Sequence, residues 1–193
     1  MCSSDLVFSY HPLFRQVLLD RSRNTFSREK IIENINTAAC LLEENGQIDD
    51  ALDLVRESGD WTTLSQFLMG HAQSLLAQGR HRSLERLLGG VPGDILNASP
   101  WLLLWLAVSR LPFDTVRSMG HFEAAYRRFR ESGDHDGFFL AWSGMASAVA
   151  FAYTSGSSRV DALIKDMDER KETFDNLASK EIRARVAVGM FGI

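Results

Sequence analysis

The residue types that most often carry chemistry occur in this chain, but their spacing does not build a catalytic or metal site. The five histidines are His11, His71, His81, His121 and His135, and none is paired with another histidine or a cysteine at a ligand spacing such as His-x-x-x-His. A phosphate-binding loop and a Gly-x-Ser-x-Gly nucleophile elbow are both absent. The sequence therefore predicts no enzyme activity, no metal and no cofactor.

The carboxylates and thiols also give no indication of a catalytic or metal site. The acidic pairs at 43–44 and 49–50 lie around predicted helix ends, where solvated termini explain them. The two cysteines, Cys2 and Cys40, are too few and too far apart for a disulfide framework. Cys40 lies on an apolar helix face without a nearby group that would activate it, so we expect an inert thiol in a reduced compartment.

Aromatic and basic side chains in the second half of the chain are the candidates for binding. At helical spacing most of the aromatic residues are expected in the core, but a superhelix also has a concave groove that some could line. The dense basic patch around Arg128 is either a solvated helix face or a contact for an anionic ligand or an acidic partner. The residues we assign to a candidate ligand or partner groove are Trp101, Trp105, Trp142, Arg127 and Arg130.

Composition limits the class of protein. The chain has 193 residues, 45% of them hydrophobic and 24% charged, which is typical of a globular domain or one array of repeats. Its formal net charge of -4 gives no electrostatic basis for direct binding to nucleic acid. Its longest apolar run, 101–108, is too short to cross a membrane. We expect a cytoplasmic protein without a membrane contact.

Helical periodicity positions the candidate residues. Pro100 opens an apolar helix that continues to about Arg110, and Asp114 caps a second helix that ends near Glu131. A third apolar helix, rich in small residues that allow close helix contact, is predicted over 138–153, and a single helix is predicted over 160–177. Gly120 falls inside the second of these helices, where we expect it to be a mid-helix glycine rather than a turn.

Four helices follow a glycine or serine with a similar apolar spacing. These starting points are Gly46, Gly79, Gly120 and Ser158, which lie roughly 33 to 41 residues apart. This range is typical of helical hairpin repeats, so the predicted fold is all-α, a right-handed α-α superhelix of degenerate tetratricopeptide-like hairpins. A short strand at 5–10 is a further expectation. An irregular helical bundle is the structural alternative.

Several segments resemble large MalT-like bacterial transcriptional regulators, the LuxR-type activators of the signal-transducing ATPase class. Residues 10–15 (Tyr-His-Pro-Leu-Phe-Arg) look like the segment that closes their winged-helix domain. Residues 38–46 and 49–52 resemble their helical linker, and residues 99–106 and 110–114 resemble their superhelical sensor region. The resemblance implies a fragment of a longer protein, with 1–26 ending a winged-helix-like segment and 27–193 forming a tetratricopeptide-like domain.

The resemblance also implies a function. In such regulators this region is an arm and an inducer-sensing superhelix that restrains or permits self-association, while DNA binding lies elsewhere in the protein. Our leading hypothesis is therefore an effector-sensing and protein-interaction module, whose partners are other proteins, adjacent domains of the same chain and a small-molecule effector. The alternative is a scaffold or adaptor that binds a peptide or protein partner in its groove. An all-helical enzyme is a third class, for which the sequence offers no residue set.

Overall fold

The structure is a computed structural model that describes residues 11–152, 157–177 and 180–190. The described residues fold into helices joined by short turns, and no strand occurs among them. The all-α fold class is thus confirmed. The strand expected at 5–10 lies outside the described residues, and the superhelical stacking of repeats stays a prediction.

The chain divides into two compact units, 1–60 and 61–193. The described helices of the first unit are α1 (Pro12–Thr25), α2 (Arg28–Glu44) and α3 (Ile48–Ser58). Helices α2 and α3 pack against each other, and the buried side chains they contribute are Ala39, Ala51, Leu52 and Val55. The domain boundary that the sequence predicts after residue 26 does not coincide with this division, and it stays a prediction.

The second unit contains the remaining helices. They are α4 (Trp61–Ala77), α5 (His81–Gly89), α6 (Gly93–Ala98), α7 (Pro100–Arg110), α8 (Thr115–Ser132), α9 (His135–Ala152), α10 (Ser157–Glu169), α11 (Lys171–Leu177) and α12 (Lys180–Met190). Helix α8 packs against α7 and α9, α12 packs against α9, and α5 packs against α7. The core of this unit therefore lies around α7, α8 and α9.

Local signals start and stop the three core helices. The Ser99 hydroxyl accepts from the Leu102 N–H at the start of α7, and an Asp114 carboxylate oxygen accepts from the Arg117 N–H at the start of α8. Helix α8 ends at Gly133, whose φ of 73° is left-handed and favours glycine. These are the starts and stops that the sequence predicts.

One face of α8 is fully buried. Phe122, Ala125 and Phe129, spaced at the helical period, have no exposed surface. Gly120 lies inside the same helix, as expected, and its position is exposed. The apolar stripe of α8 is thus the surface on which the helix packs.

Two glycines of α9 receive the rings of this stripe. A Cβ added at Gly144 would overlap the Phe122 ring, and a Cβ at Gly137 would overlap the Phe129 ring. The two glycines are seven residues apart on α9, and the two phenylalanines are seven residues apart on α8. The same contact therefore repeats after two helical turns. The absent side chains of Gly137 and Gly144 therefore let α8 and α9 approach closely.

We expect Gly144→Ala to destabilise the second unit, although alanine is the better helix former. The new methyl group overlaps the fully buried Phe122 ring, which must shift to make room, and overpacking of this kind costs about 1–3 kcal/mol. The matched control is Gly120→Ala, where nothing lies within 4 Å of the added Cβ. That variant should be more stable by about 0.5–1 kcal/mol. Urea unfolding of both variants tests the pair, and a gain in stability for Gly144→Ala would contradict the close contact of the Phe122 ring with Gly144.

The helix predicted over 160–177 is interrupted. A turn at Arg170 separates α10 from α11. The Arg170 guanidinium lies over the Phe138 ring at 4.6 Å, and the Phe174 ring packs edge-on against Phe139 at 5.0 Å between ring centres. The periodicity of the segment is helical on both sides of the turn, so these contacts with α9 are not visible in the sequence.

Candidate ligand cavity

The predicted groove residues do not all lie together. Trp101 and Trp105 are neighbours on α7, with ring centres 6.1 Å apart, and both border a cavity of about 170 Å³, which Trp142, Arg127 and Arg130 do not line. Trp142 is fully buried, and its indole N–H donates to the Leu163 carbonyl oxygen at 2.9 Å. Trp142 joins α9 to α10 in the core, and its role in a groove stays a prediction. Its position follows from its place on α9, which packs against neighbours on several sides.

The Trp101 side chain makes one hydrogen bond and one aromatic contact with neighbouring elements. Its indole N–H donates to Asp134 Oδ2 at 3.0 Å, and its ring meets Phe129 at 5.0 Å in an edge-on arrangement. Asp134 Oδ1 in turn accepts from the Gly137 N–H at the start of α9. Trp101 thus connects α7 to the turn between α8 and α9.

The basic candidates lie on the outer face of α8. Arg127 and Arg128 border a more polar pocket of about 390 Å³ with Asn97 and Glu131, and Arg127 Nε donates to the Glu123 carbonyl oxygen at 3.4 Å. Arg130 is exposed. None of these arginines borders the cavities that Trp105 lines. A role for Arg127 and Arg130 in binding stays a prediction.

Trp105 lines a cavity of about 340 Å³ between α7, α8, α9 and α12. Most of its lining side chains are apolar, and these are Leu104, Val108, Leu111, Phe122, Leu140, Ala184 and Val188. Gly144 also borders it, which places the cavity beside the close contact of α8 with α9. Its volume is at the lower end of the range for small-molecule sites.

Both serine hydroxyls beside this cavity are hydrogen-bonded to backbone carbonyl oxygens. The Ser143 hydroxyl donates to the Arg185 carbonyl oxygen at 2.7 Å, and the Ser147 hydroxyl donates to the Ser143 carbonyl oxygen at 2.9 Å. Arg185 also borders the cavity. The first of these hydrogen bonds joins α9 to α12, two of the helices that form the cavity wall.

The Trp105 indole N–H, unlike these serine hydroxyls, has no hydrogen-bond partner among the described residues. The residue is 6% exposed, and its Nε1 is buried without a hydrogen-bond partner among the described residues. A buried donor left unpaired costs about 1–3 kcal/mol, so such groups are uncommon and call for an explanation. Trp105 also borders a second, smaller cavity of about 170 Å³, together with Trp101, Gln73 and Asp136.

A polar chain outside the cavity links three helices. Arg110 Nε donates to Glu85 Oε1 at 2.9 Å, and Arg110 Nη1 lies 2.9 Å from His121 Nε2. Because the guanidinium has only donors, His121 Nε2 accepts and the imidazole is neutral. Sequence reasoning missed this site, since its three members come from α5, α7 and α8 and have no common motif.

The environment of His121 makes folding sensitive to pH. Burial, and then the charge of Arg110, lower the pKa of His121 below its ordinary value of 6.5. The unfolded chain therefore binds this proton more readily than the folded chain. Stability from this site is present above about pH 6.5 and is lost as the pH falls through the lowered pKa of His121.

We expect the urea midpoint of the wild-type chain to fall as the pH is lowered below about 6.5. His121→Gln, which keeps an acceptor for Arg110, should show a weaker dependence over this range. His135→Gln is the control for loss of an imidazole, because His135 is exposed. If His121→Gln and the wild type lost stability in parallel, His121 would not be the source of the dependence.

A second polar contact joins α8 to α10. The Tyr126 hydroxyl donates to Asp166 Oδ2 at 2.5 Å, and Asp166 Oδ1 lies 3.7 Å from Arg170 Nε. Burial, followed by the bond to Asp166, raises the pKa of the Tyr126 hydroxyl above its ordinary range. Tyr126 is therefore a neutral donor to a carboxylate, a contact that fastens α10 to the core.

No helix in the part of the chain that the structure describes is long and apolar enough to cross a membrane. Within the same residues, no group of three or more histidine, cysteine, aspartate or glutamate side chains is arranged to hold a metal ion.

Comparison with known proteins gives a partial match. No family model matches the chain, and no solved structure matches it. The chain is 31% identical over 116 residues to the HTH-type transcriptional regulator MalT of Cronobacter sakazakii (strain ATCC BAA-894). The match covers 58% of this chain but only 13% of that regulator. The chain is thus loosely similar to a region of a transcriptional regulator, of which it spans a small part.

Proposed function

We propose that this chain is an effector-sensing and protein-interaction module of a bacterial transcriptional regulator, and that it acts by conformational control rather than by catalysis. The observation that carries the proposal is the cavity beside Trp105, which has the size of a small-molecule site and a mostly apolar lining. The partial similarity to a transcriptional regulator supports the setting. A cytoplasmic location, without direct contact to DNA, belongs to the same proposal.

The cavity walls explain how a ligand would act. They come from the consecutive helices α7, α8 and α9 and from α12, which contributes Ala184 and Val188. A ligand that contacts both α9 and α12 stabilises the arrangement in which these helices lie together. By linkage, it shifts the population towards that arrangement in proportion to its preference for it. Neighbouring domains that contact the α12 region would sense the shift.

A thermal-shift screen of small molecules with the 193-residue chain tests this function. Compounds that raise the melting temperature of the wild type should lose their effect in Ser147→Leu, where a larger side chain occupies the cavity. Ser74→Leu, the same replacement at an exposed position of α4, is the matched control. A screen without a stabilising compound, or one whose hits act equally on Ser147→Leu, would contradict effector sensing at this cavity.

A scaffold or adaptor is the second candidate, and helix α1 favours it. Four apolar residues on this helix, Leu13, Phe14, Val17 and Leu18, are between 39% and 73% exposed. An apolar stripe of this kind marks an interaction surface. The coding sequence on either side of the chain discriminates the two functions. A phosphate-binding loop before it and a helix-turn-helix after it would favour the regulator, whereas further helical repeats alone would favour the adaptor.

A further inference from the structure

We propose that a surface pocket between α5 and the end of α7 binds a small anion of phosphate or dicarboxylate chemistry. The residues that line this pocket are Arg82, Glu85, Arg86, Arg110 and Phe113. Its volume is about 410 Å³, and it shares no lining residue with the two cavities that Trp105 borders. The inference therefore goes beyond the proposed function and does not depend on it.

The charge of the pocket sets the class of its ligand. Three guanidinium groups and one carboxylate line it, although the formal net charge of the whole chain is -4. The carboxylate belongs to Glu85 and is already paired with Arg110 at 2.9 Å. A cleft with an excess of one charge raises the local concentration of ions of the opposite sign. The pocket therefore favours an anion over a neutral molecule or a cation.

Two of the guanidinium groups keep N–H donors for a ligand. A guanidinium has five such donors, and Arg110 directs Nε to Glu85 and Nη1 to His121, each at 2.9 Å. The remaining donors of Arg110 are available to a molecule in the pocket. The Arg82 guanidinium lies 4.9 Å from the centre of the Phe113 ring. Because a ring face has no lone pair, this contact leaves the N–H donors of Arg82 for an acceptor on a ligand.

The same contacts hold both guanidinium groups in place before a ligand binds. The Arg110 side chain is only 21% exposed and lies between Glu85 and His121. The Phe113 ring, which is 52% exposed, restrains the otherwise exposed Arg82. Donors that are already ordered lose less conformational entropy on binding. Phosphate and carboxylate groups accept paired hydrogen bonds from a guanidinium, so they are the anions that fit best.

Inorganic phosphate and succinate test the inference. Each is titrated into the nitrogen-15-labelled chain at constant ionic strength, with sodium chloride as the balancing salt, so that general screening of charge does not contribute. We expect at least one of them to bind and to move the side-chain Nε–H signal of Arg82, which Arg82→Gln identifies by its disappearance. The stronger of the two decides between a phosphate ester and a dicarboxylate as the ligand class.

Two variants of the pocket and one control locate the binding. In Arg82→Gln the dissociation constant should rise about tenfold, the size expected for one hydrogen bond to a charged group. Phe113→Leu keeps every charge and removes only the ring that restrains Arg82, so a rise of about threefold is expected. Arg128→Gln makes the same change of charge at an exposed position of α8 and should bind as the wild type does.

Several results would overturn the site. These are a wild-type chain that binds neither anion, a dissociation constant that Arg82→Gln leaves unchanged, and an equal loss of affinity in Arg82→Gln and Arg128→Gln. A tetraglutamate peptide that binds at Arg82 while neither small anion does would overturn the small ligand and assign the pocket to an acidic protein partner. Unchanged helical circular dichroism of each variant excludes unfolding as the cause of a loss.

Ser147→Leu separates this inference from the proposed function. Ser147 lies at the other cavity, so this variant should bind phosphate or succinate as the wild type does. Binding of an anion that depends on Arg82, together with a failed screen at the cavity beside Trp105, would support the anion site and contradict effector sensing at that cavity. The opposite pair of results would overturn the anion site and leave the proposed function in place.

Discussion

Ala125→Asp is expected to lower the free energy of unfolding by about 3–5 kcal/mol, the cost of a buried charge without a partner. Ala125 is fully buried in the core formed by α7, α8 and α9. A domain is typically stable by about 5–15 kcal/mol in total, so a loss of this size removes a large part of it. The urea midpoint and the melting temperature of the variant measure the effect.

The control for Ala125→Asp lies on the same helix. Val116 is 84% exposed in the first turn of α8, where an aspartate remains in water and interacts favourably with the helix N-terminus. Val116→Asp should change stability by no more than about 0.5 kcal/mol. If the two variants unfolded at the same urea concentration, the buried face of α8 would be wrongly assigned.

Trp142→Ala should have an effect of similar size. Trp142 is among the largest fully buried side chains, and its removal leaves a cavity in the core that costs about 3–5 kcal/mol. The same change deprives the Leu163 carbonyl oxygen of its donor and so weakens the link between α9 and α10. Urea unfolding followed by circular dichroism measures the loss.

Trp142→Phe separates the two contributions. It keeps most of the apolar volume and removes the indole N–H, so we expect a smaller loss, of about 1–3 kcal/mol. This series also decides the role of Trp142, because a groove residue would lose ligand binding with little loss of stability. Near-native stability of Trp142→Ala would return this residue to the groove that the sequence predicts.

Aromatic residues show where prediction from the sequence ends. Trp105 and Trp142 both lie in apolar helices at helical spacing, and both were candidates for the groove. Trp105 borders a cavity, whereas Trp142 is enclosed in the core with its donor paired. Periodicity gives the side of a helix on which a residue lies, but it does not tell whether another helix covers that side.

Glycine gives a second example. The sequence correctly places Gly120 inside a helix, because the cap at Asp114 and the apolar period on both sides are local features. The role of Gly144 depends on the Phe122 ring of another helix, so no local feature reveals it. The small residues of α9 indicated a close helix contact, but not which rings would enter it.

The sequence by itself determined the helical class of this protein and the starts and stops of its main helices. Hydrogen-bonded caps such as Ser99 and Asp114, left-handed glycines such as Gly133 and the helical period all act over a few residues. Only the tertiary structure decided the cavity at Trp105, the bond from Ser143 to α12 and the chain from Glu85 to His121. Each of these joins residues from different helices, and their geometry depends on how the helices pack.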